Sequence, residues 1–510
     1  MILDLVEVFM QERSIIIIGG GIAGLSTGCY GLMNGFRTRI FEMHKKPGGL
    51  CTSWKRQGYT VDGCIHWLVG TGKTSGFNRI WRELGALDGR TIIDHEEYGR
   101  IESADGKQFI VYTNIDRLER HMKEIAAEDT PVIDEFISAV RTCTRLEPPL
   151  GKAPEVSNLW DLIKIIVTKY PLLRILRKWN RISLREFGAR FRNPLIRDAF
   201  PMFFMPDFPM TFMLMTFAWM HNKAAGYPVG GSLEFSRAIE KRYLTLGGEV
   251  TYRARVAKIL TEEGRATGVR LEDGTEHRAD YVISAADGHA TIFDMLEGKY
   301  IDDEVRGRFR DLIPFPPLLY IAIGVNRKFD DLPFSAGGMA IGLSEPLVIG
   351  GVKHDYLGVH IFNFDPTLAP AGKTLLTVLL RTDYAYWKTL REQDERYKAE
   401  KERIADVVVA ILDKRFPGLS AQVEMRDVAS PTTFVRYTGN WKGSFEGWQV
   451  TPETWSFGRL MRKTLPGLRN FYMAGHWVEP GGGLPAVARS GRNVIQIICR
   501  NEKRMFVTLT

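Results

Sequence analysis

The chain has 510 residues, 45% hydrophobic and 25% charged, about three times a ~150-residue domain, with a composition that excludes disordered and fibrous classes. Lys and Arg number 68 against 60 Asp and Glu, a net charge of +8, and the excess is concentrated in residues 164–192. Five cysteines, none spaced Cys-x-x-Cys, exclude a disulfide scaffold and a zinc ribbon and suit a reducing compartment.

Residues 1–13 carry acids where a signal peptide carries positive charge. They read as an extra turn of helix, with Met10 as a second candidate start. No run of about 20 apolar residues is free of both charge and proline, so no membrane-crossing helix is predicted and the protein is expected in the cytoplasm.

Residues 14–42 predict a strand, a tight turn, a helix and a second strand. Ser14-Ile15-Ile16-Ile17-Ile18 is a β-branched run suited to a strand covered on both faces. Gly19-Gly20-Gly21-Ile22-Ala23-Gly24 follows, then a helix over 25–34 and a strand over 38–41 that ends at Glu42. A bound pyrophosphate explains the spacing. Gly19 permits the turn, Gly21 lets the backbone approach the phosphates, Gly24 allows close helix–strand packing, and the helix N-terminus favours the anion. Glu42 can accept from both ribose hydroxyls. This unit alone does not separate NAD from FAD.

Met43 and the run to Gly48-Gly49-Leu50-Cys51 come next, then Gly58-Tyr59-Thr60-Val61-Asp62-Gly63-Cys64-Ile65-His66. Two further glycines so close to the ribose acid suit a second backbone approach to a long cofactor. Later blocks are Tyr227-Pro228-Val229-Gly230-Gly231-Ser232, a strand over 254–259, Ser284-Ala285-Ala286, and Ala474-Gly475-His476 followed by Gly481-Gly482-Gly483-Leu484-Pro485. Ser490-Gly491-Arg492 reads as the start of a final helix.

In these blocks and their order the sequence resembles the FAD-dependent phytoene desaturase, carotenoid isomerase and retinol saturase group within the amine-oxidase-like flavoproteins. The resemblance implies an α/β fold. A Rossmann-like FAD-binding domain, discontinuous in sequence (14–74, 226–292 and 465–500), would join a mixed α+β substrate domain (293–464, mostly β) and a largely helical, membrane-facing lid (75–225). It assigns to the cofactor Gly19, Gly21, Ile22, Ala23 and Gly24 of the turn, then Glu42, Met43, Gly48, Gly49, Leu50 and Asp62. Val256 and Ala285 from the middle blocks, and Gly475, His476, Leu484 and Pro485 near the end, complete the set. Leu50 stands where relatives carry Arg, Cys64 brings a thiol toward the expected flavin edge, and His476 stands where some amine-oxidase relatives carry an acid.

Between the cofactor blocks, residues 199–220 hold six Phe and six Met, broken by Pro201, Pro206 and Pro209. A tunnel lining for a long hydrocarbon and ordinary core packing both fit. Tyr437 and Trp448 are candidate cavity walls, and His66 is either a substrate-side group or a core residue. The histidines show no metal-ligand spacing and no metal is expected; no serine or cysteine nucleophile motif occurs either, so the chemistry is assigned to the flavin.

Residues 164–192 carry nine cations and one acid, interleaved with Leu, Ile and Trp, and Pro171 should split them into two helices. No nucleic-acid motif accompanies the patch. Peripheral binding to an anionic membrane at the inner face is the leading reading, against a solvated basic face. The function expected is an FAD-dependent oxidoreductase acting on a long isoprenoid, carotenoid-like or other polyunsaturated lipid. Desaturation, saturation and cis–trans isomerisation share the required geometry. An amine oxidase-type flavoenzyme and a non-enzymatic lipid-binding protein like the Rab GDP-dissociation inhibitors are the alternatives.

Overall fold

In the computed structural model, which describes residues 13–454 and 461–509, the isoleucine run Ser14–Ile18 is the central strand of a five-stranded parallel sheet. Its order is Phe471–Met473, Tyr281–Ser284, Ser14–Ile18, Arg37–Glu42, Glu249–Tyr252. Parallel strands need both faces covered. Here Ile15 and Ile17 pack into one apolar cluster and Ile16 and Ile18 into another. The expectation for residues 1–12 lies outside the described residues.

Six helices position the site: α1 (Ile22–Met33), α2 (Leu159–Thr168), α3 (Tyr170–Trp179), α4 (Met210–His221), α5 (Gly231–Thr245) and α6 (Gly483–Asn501). α1 and α6 touch closely on the sheet, where the Ser26 hydroxyl donates to Ala488 O at 2.6 Å and Gly491 leaves no room for a Cβ beside Ala23 O. α2 opens on a capping box between Asn158 and Asp161. Pro171 divides α2 from α3 as expected, sitting in the first turn of α3, where its missing N–H costs nothing. Among the described residues no helix is long and apolar enough to cross a membrane.

A second, seven-stranded sheet has the order Val423–Ala429, Leu318–Val325, Thr374–Arg381, Val352–Ile361, Met339–Ile349, Glu97–Glu102, Gln108–Tyr112. Every residue of Leu318–Val325 is buried. The last two strands come from the 75–225 segment, which is otherwise mostly helical between residues 76 and 221. Glu97–Glu102 pairs in parallel with Met339–Ile349, and its hairpin partner turns back through Asp105-Gly106. The final helix also starts earlier than residue 490. Gly482 is its N-cap, and Pro485 in the first turn occupies a position whose N–H has no helical partner in any case.

Candidate functional site

The first strand ends in a glycine turn in which Gly19 holds a positive φ. A Cβ on Gly24 would lie 1.9 Å from Gly19 O, so α1 packs against the turn at backbone distance. Gly21 differs. A Cβ there would meet only Gly48 O, at 3.9 Å, and would project into open cavity. No side chain caps the N-terminus of α1 and no acid lies in its first turn, so its N–H groups and positive dipole end face that space. The second glycine pair crosses beside the first, with Gly48 N–H donating to Gly20 O at 2.9 Å.

Glu42 closes this cradle at the end of the second strand. Its carboxylate accepts from Gly20 N–H at 2.6 Å and His44 N–H at 2.7 Å, and burial raises its pKa against those two bonds. Two N–H bonds fix the side chain in place and leave lone pairs for a further donor.

At the far end the start of α6, whose N-cap Gly482 has no side chain to offer, meets Glu446. Its Oε1 accepts from Gly483 N–H at 3.1 Å, and burial pushes the carboxyl up to about 7. Beside it His476 Nε2 lies 3.1 Å from Gly483 O, which makes that nitrogen the N–H donor; burial holds the imidazole neutral, its pKa down to about 4.

One cavity of about 1650 Å³ joins both ends. On its wall lie Gly19, Gly21, Ile22, Ala23, Glu42, Met43, Gly48, Gly49 and Leu50, with Val256, Ala285, Gly475, His476, Leu484 and Pro485. Of the residues assigned to the cofactor, Gly24 and Asp62 are not on the wall. Gly24 serves packing. Asp62 is buried and accepts from the N–H and hydroxyl of Ser232, both at 2.5 Å, and from Cys64 N–H at 3.1 Å. It caps the first turn of α5 from outside the helix, and burial pushes its pKa up to about 6.

His66 lies on the wall, stacked on His360 with ring centroids 3.9 Å apart and planes 6° from parallel. Burial, with His95 nearby, lowers its pKa to about 4, so it enters the site neutral. Tyr437 reaches the wall but is 46% exposed and packs edge-on to His44, two residues past Glu42, at the cofactor end of the cavity. Trp448 is off the wall, buried against Trp477 and Phe309 with centroids 4.9 and 5.0 Å away. The aromatic and methionine run divides between both readings. Met202, Phe203, Phe204, Met205, Phe208, Phe212 and Met215 line the cavity, whereas Phe200, Met210, Met213, Phe217 and Met220 are core. Glu446, Cys51 and His360 also reach the wall without having been singled out from sequence. Glu446 follows Ser444-Phe445 in a glycine-rich loop, a lone acid whose only sequence signal is its apolar surroundings.

The cavity wall extends to α2 and α3, where Leu162, Ile165, Leu172 and Leu176 line it and Leu162 is itself 49% exposed. α2 has no buried residue; Leu159, Trp160, Ile166 and Val167 are 71, 77, 55 and 72% exposed. Around this apolar surface Lys178 and Arg190 pair with Glu135, and Arg185 with Asp207. Lys164, Lys169, Arg174, Arg177, Arg181 and Arg192 form no ion pair among the described residues.

The cradle fits a flavin dinucleotide. The open space at Gly21, the uncapped end of α1 and the fixed Glu42 carboxylate would hold pyrophosphate and ribose, and the wall from Gly475 to Pro485 is placed for the far end of an extended cofactor. The chain belongs to the flavin containing amine oxidoreductase family, which matches residues 22–499. It is 25% identical to a chloroplastic prolycopene isomerase of Daucus carota over 94% of this chain and 79% of that one. It is also 25% identical to a neurosporene-forming phytoene desaturase of Rhodobacter capsulatus, over 95% and 93% of the two chains. Among solved structures, a fatty acid isomerase of P. acnes that produces CLA superposes with a TM-score of 0.56 at 15% identity, covering 96% of this chain and 100% of that one. The protein is a flavin-dependent oxidoreductase with FAD as its cofactor, so the carrier-protein alternative is not retained.

Proposed function

We propose that this enzyme draws a long polyene lipid, an isoprenoid or another polyunsaturated chain, from a membrane surface and forms, reduces or isomerises its double bonds. The observation that carries the reading is the single cavity. At about 1650 Å³ it exceeds the volume of an ordinary small-molecule site, about 300–1,000 Å³, and leaves room for an extended hydrocarbon beside the cofactor. Its second half is walled by Phe, Met and Leu, which offers dispersion contact to a hydrocarbon and little to a short polar amine. The relatives named for isomerising prolycopene and desaturating phytoene support the same substrate class.

Bound flavin supplies two-electron hydride exchange with a substrate carbon. The chain's own residues do the rest. The Phe203–Met215 side of the cavity aligns the hydrocarbon and excludes water. His66 and His360, neutral and stacked, present a flat face that adds no charge near a polyene. Glu446, its carboxyl pKa raised to about 7, can take up or release a proton near neutral pH, and its bond to Gly483 N–H fixes the group against the start of α6. Lys164, Lys169, Arg174, Arg177 and Arg181 would meet anionic headgroups while the exposed face of α2 entered the acyl boundary, an arrangement that supports reading the enzyme as a peripheral protein on a membrane face.

Reconstitution of the purified protein with FAD, followed by chromatography of polyenes of graded length presented in vesicles, tests the reading. The expected result is conversion that rises with chain length. Peroxide release with soluble amines and no change in any polyene would overturn it in favour of an amine oxidase.

A further inference from the structure

The hairpin Ser53–Arg56 and Tyr59–Asp62 turns through Gln57 and Gly58, both with positive φ, and pairs Ser53 with Asp62. The ladder continues beyond the named strands. Gly63 N–H donates to Thr52 O at 2.9 Å, which sets Thr52 opposite Gly63 and therefore Cys51 opposite Cys64. Directly opposed residues of an antiparallel pair have Cα atoms about 4.5–5.5 Å apart, inside the roughly 4.4–6.8 Å that a disulfide spans, and their side chains share a face. Cys51 turns toward the start of α5, where its thiol donates to Ser232 O at 3.5 Å. Both thiols are free, and both line the cofactor cavity next to the Gly48-Gly49 cradle. The Cys51 side chain, together with burial, raises the pKa of the Cys64 thiol.

We propose that Cys51 and Cys64 form a reversible dithiol–disulfide pair on the cavity wall, oxidised by peroxides that enter the cavity. Cys51 sulfur attacks one peroxide oxygen; the O–O bond breaks, water leaves with the Cys51 proton, and Cys51 becomes a sulfenic acid. Cys64 sulfur then attacks Cys51 sulfur; the S–O bond breaks and a second water leaves with the Cys64 proton. Two thiols lose two electrons and one peroxide is reduced to two waters. A dithiol reductant restores the pair by exchange. Burial and the neighbouring Cys51 side chain raise the pKa of the Cys64 thiol, which suits Cys51 as attacking and Cys64 as resolving thiol. Closure ties the loop that carries Gly48 and Gly49 to the end of the hairpin, so the oxidation state of the pair reaches the cofactor cradle.

The test needs neither flavin turnover nor lipid, so its failure and the failure of the proposed function are separate results. The full-length protein is treated with limiting hydrogen peroxide, denatured, alkylated and weighed intact. Five alkyl groups are expected before oxidation and, since the pair removes two of the five free thiols, three after it, with a Cys51–Cys64 cross-linked peptide and full recovery on treatment with dithiothreitol. In C64S the loss of two labels should vanish, and Cys51 should be trapped by dimedone as a sulfenic acid. Five labels retained at peroxide levels that oxidise methionine, or a disulfide mapped to other cysteines, would overturn the proposal from the wild-type protein alone.

Discussion

Replacing Trp160, Ile166 and Val167 with serine strips the apolar face of α2 without touching the core, because α2 contains no buried residue. The three side chains are 77, 55 and 72% exposed. Full burial of such a side chain contributes about 1.5–3 kcal/mol, so moving the exposed half to three-quarters into lipid contributes about 1–2 kcal/mol each. The triple variant should therefore lose about 3–6 kcal/mol of membrane affinity, on the order of 10²–10⁴ in partition coefficient. Flotation with anionic vesicles measures it, with thermal unfolding as the control. A charge series separates the electrostatic part: each cation near an anionic surface contributes about 1 kcal/mol, so neutralising Lys164, Arg174, Arg177 and Arg181 should weaken anionic-vesicle binding at low salt and leave neutral vesicles unaffected. If the serine variant floats as well as the wild type, α2 is ordinary protein surface and the membrane assignment fails.

Three further outcomes are expected. Glu42→Ala removes the acceptor of Gly20 N–H and His44 N–H and leaves Gly20 N–H buried, so the apoprotein should lose about 1–3 kcal/mol and retain less FAD; wild-type flavin affinity by fluorescence titration would refute the ribose role. Gly21→Ala should weaken FAD binding with the apo melting temperature unchanged, whereas Gly24→Ala, with a Cβ 1.9 Å from Gly19 O, should destabilise the apoprotein by about 1–3 kcal/mol or more; the same ranking for both would contradict the cradle geometry. Glu446 binds a proton in the folded chain that the unfolded chain releases between pH 4.5 and about 7, so wild type should lose stability relative to Glu446→Gln as pH rises through that window and run parallel to it outside. Unfolding curves across pH check this, and a flat difference would remove Glu446 as the titrating group.

What the sequence revealed and what it hid follow from range. The turn at Gly19–Gly24, the strand into Glu42 and the division at Pro171 are set by neighbours a few residues away, through backbone space and missing N–H groups, and all were legible. Leu484 and Pro485 were placed in the cofactor set, yet the helix they open was read as starting at residue 490, because glycine and proline weaken a helix everywhere except in its first turn. The strands of 97–112 were overlooked although Asp105-Gly106 sits between two alternating runs, a pattern that signals a hairpin. Contacts across the chain had no such signal. His66 on His360, Glu446 against Gly483 and the Ser232 cap supplied by Asp62 join residues from 37 to 294 positions apart, and only the fold decides which polar groups meet. Cys51 and Cys64 are intermediate: neither makes a Cys-x-x-Cys motif, but a two-residue turn at Gln57-Gly58 fixes a register that opposes them.

On the proposed membrane reading, the location of the apolar patch would serve more than adhesion. Moving hydrocarbon into water costs about 0.8 kcal/mol for each CH₂, so a twenty-carbon chain crossing an aqueous gap would face about 16 kcal/mol. An enzyme of such a substrate needs a path in which the chain never leaves apolar surroundings. Leu162 and Ile165 would supply the join, because they line the cavity from the same helix of nearly three turns that exposes Trp160, Ile166 and Val167. With that helix seated in the acyl boundary, a lipid chain would pass from bilayer to Leu172 and Leu176 and on to the phenylalanine and methionine wall with dispersion contact throughout. A cavity mouth facing water would gain nothing from exposed tryptophan and valine at its rim. A mouth facing lipid would use them, and that is what the flotation of the serine variant decides.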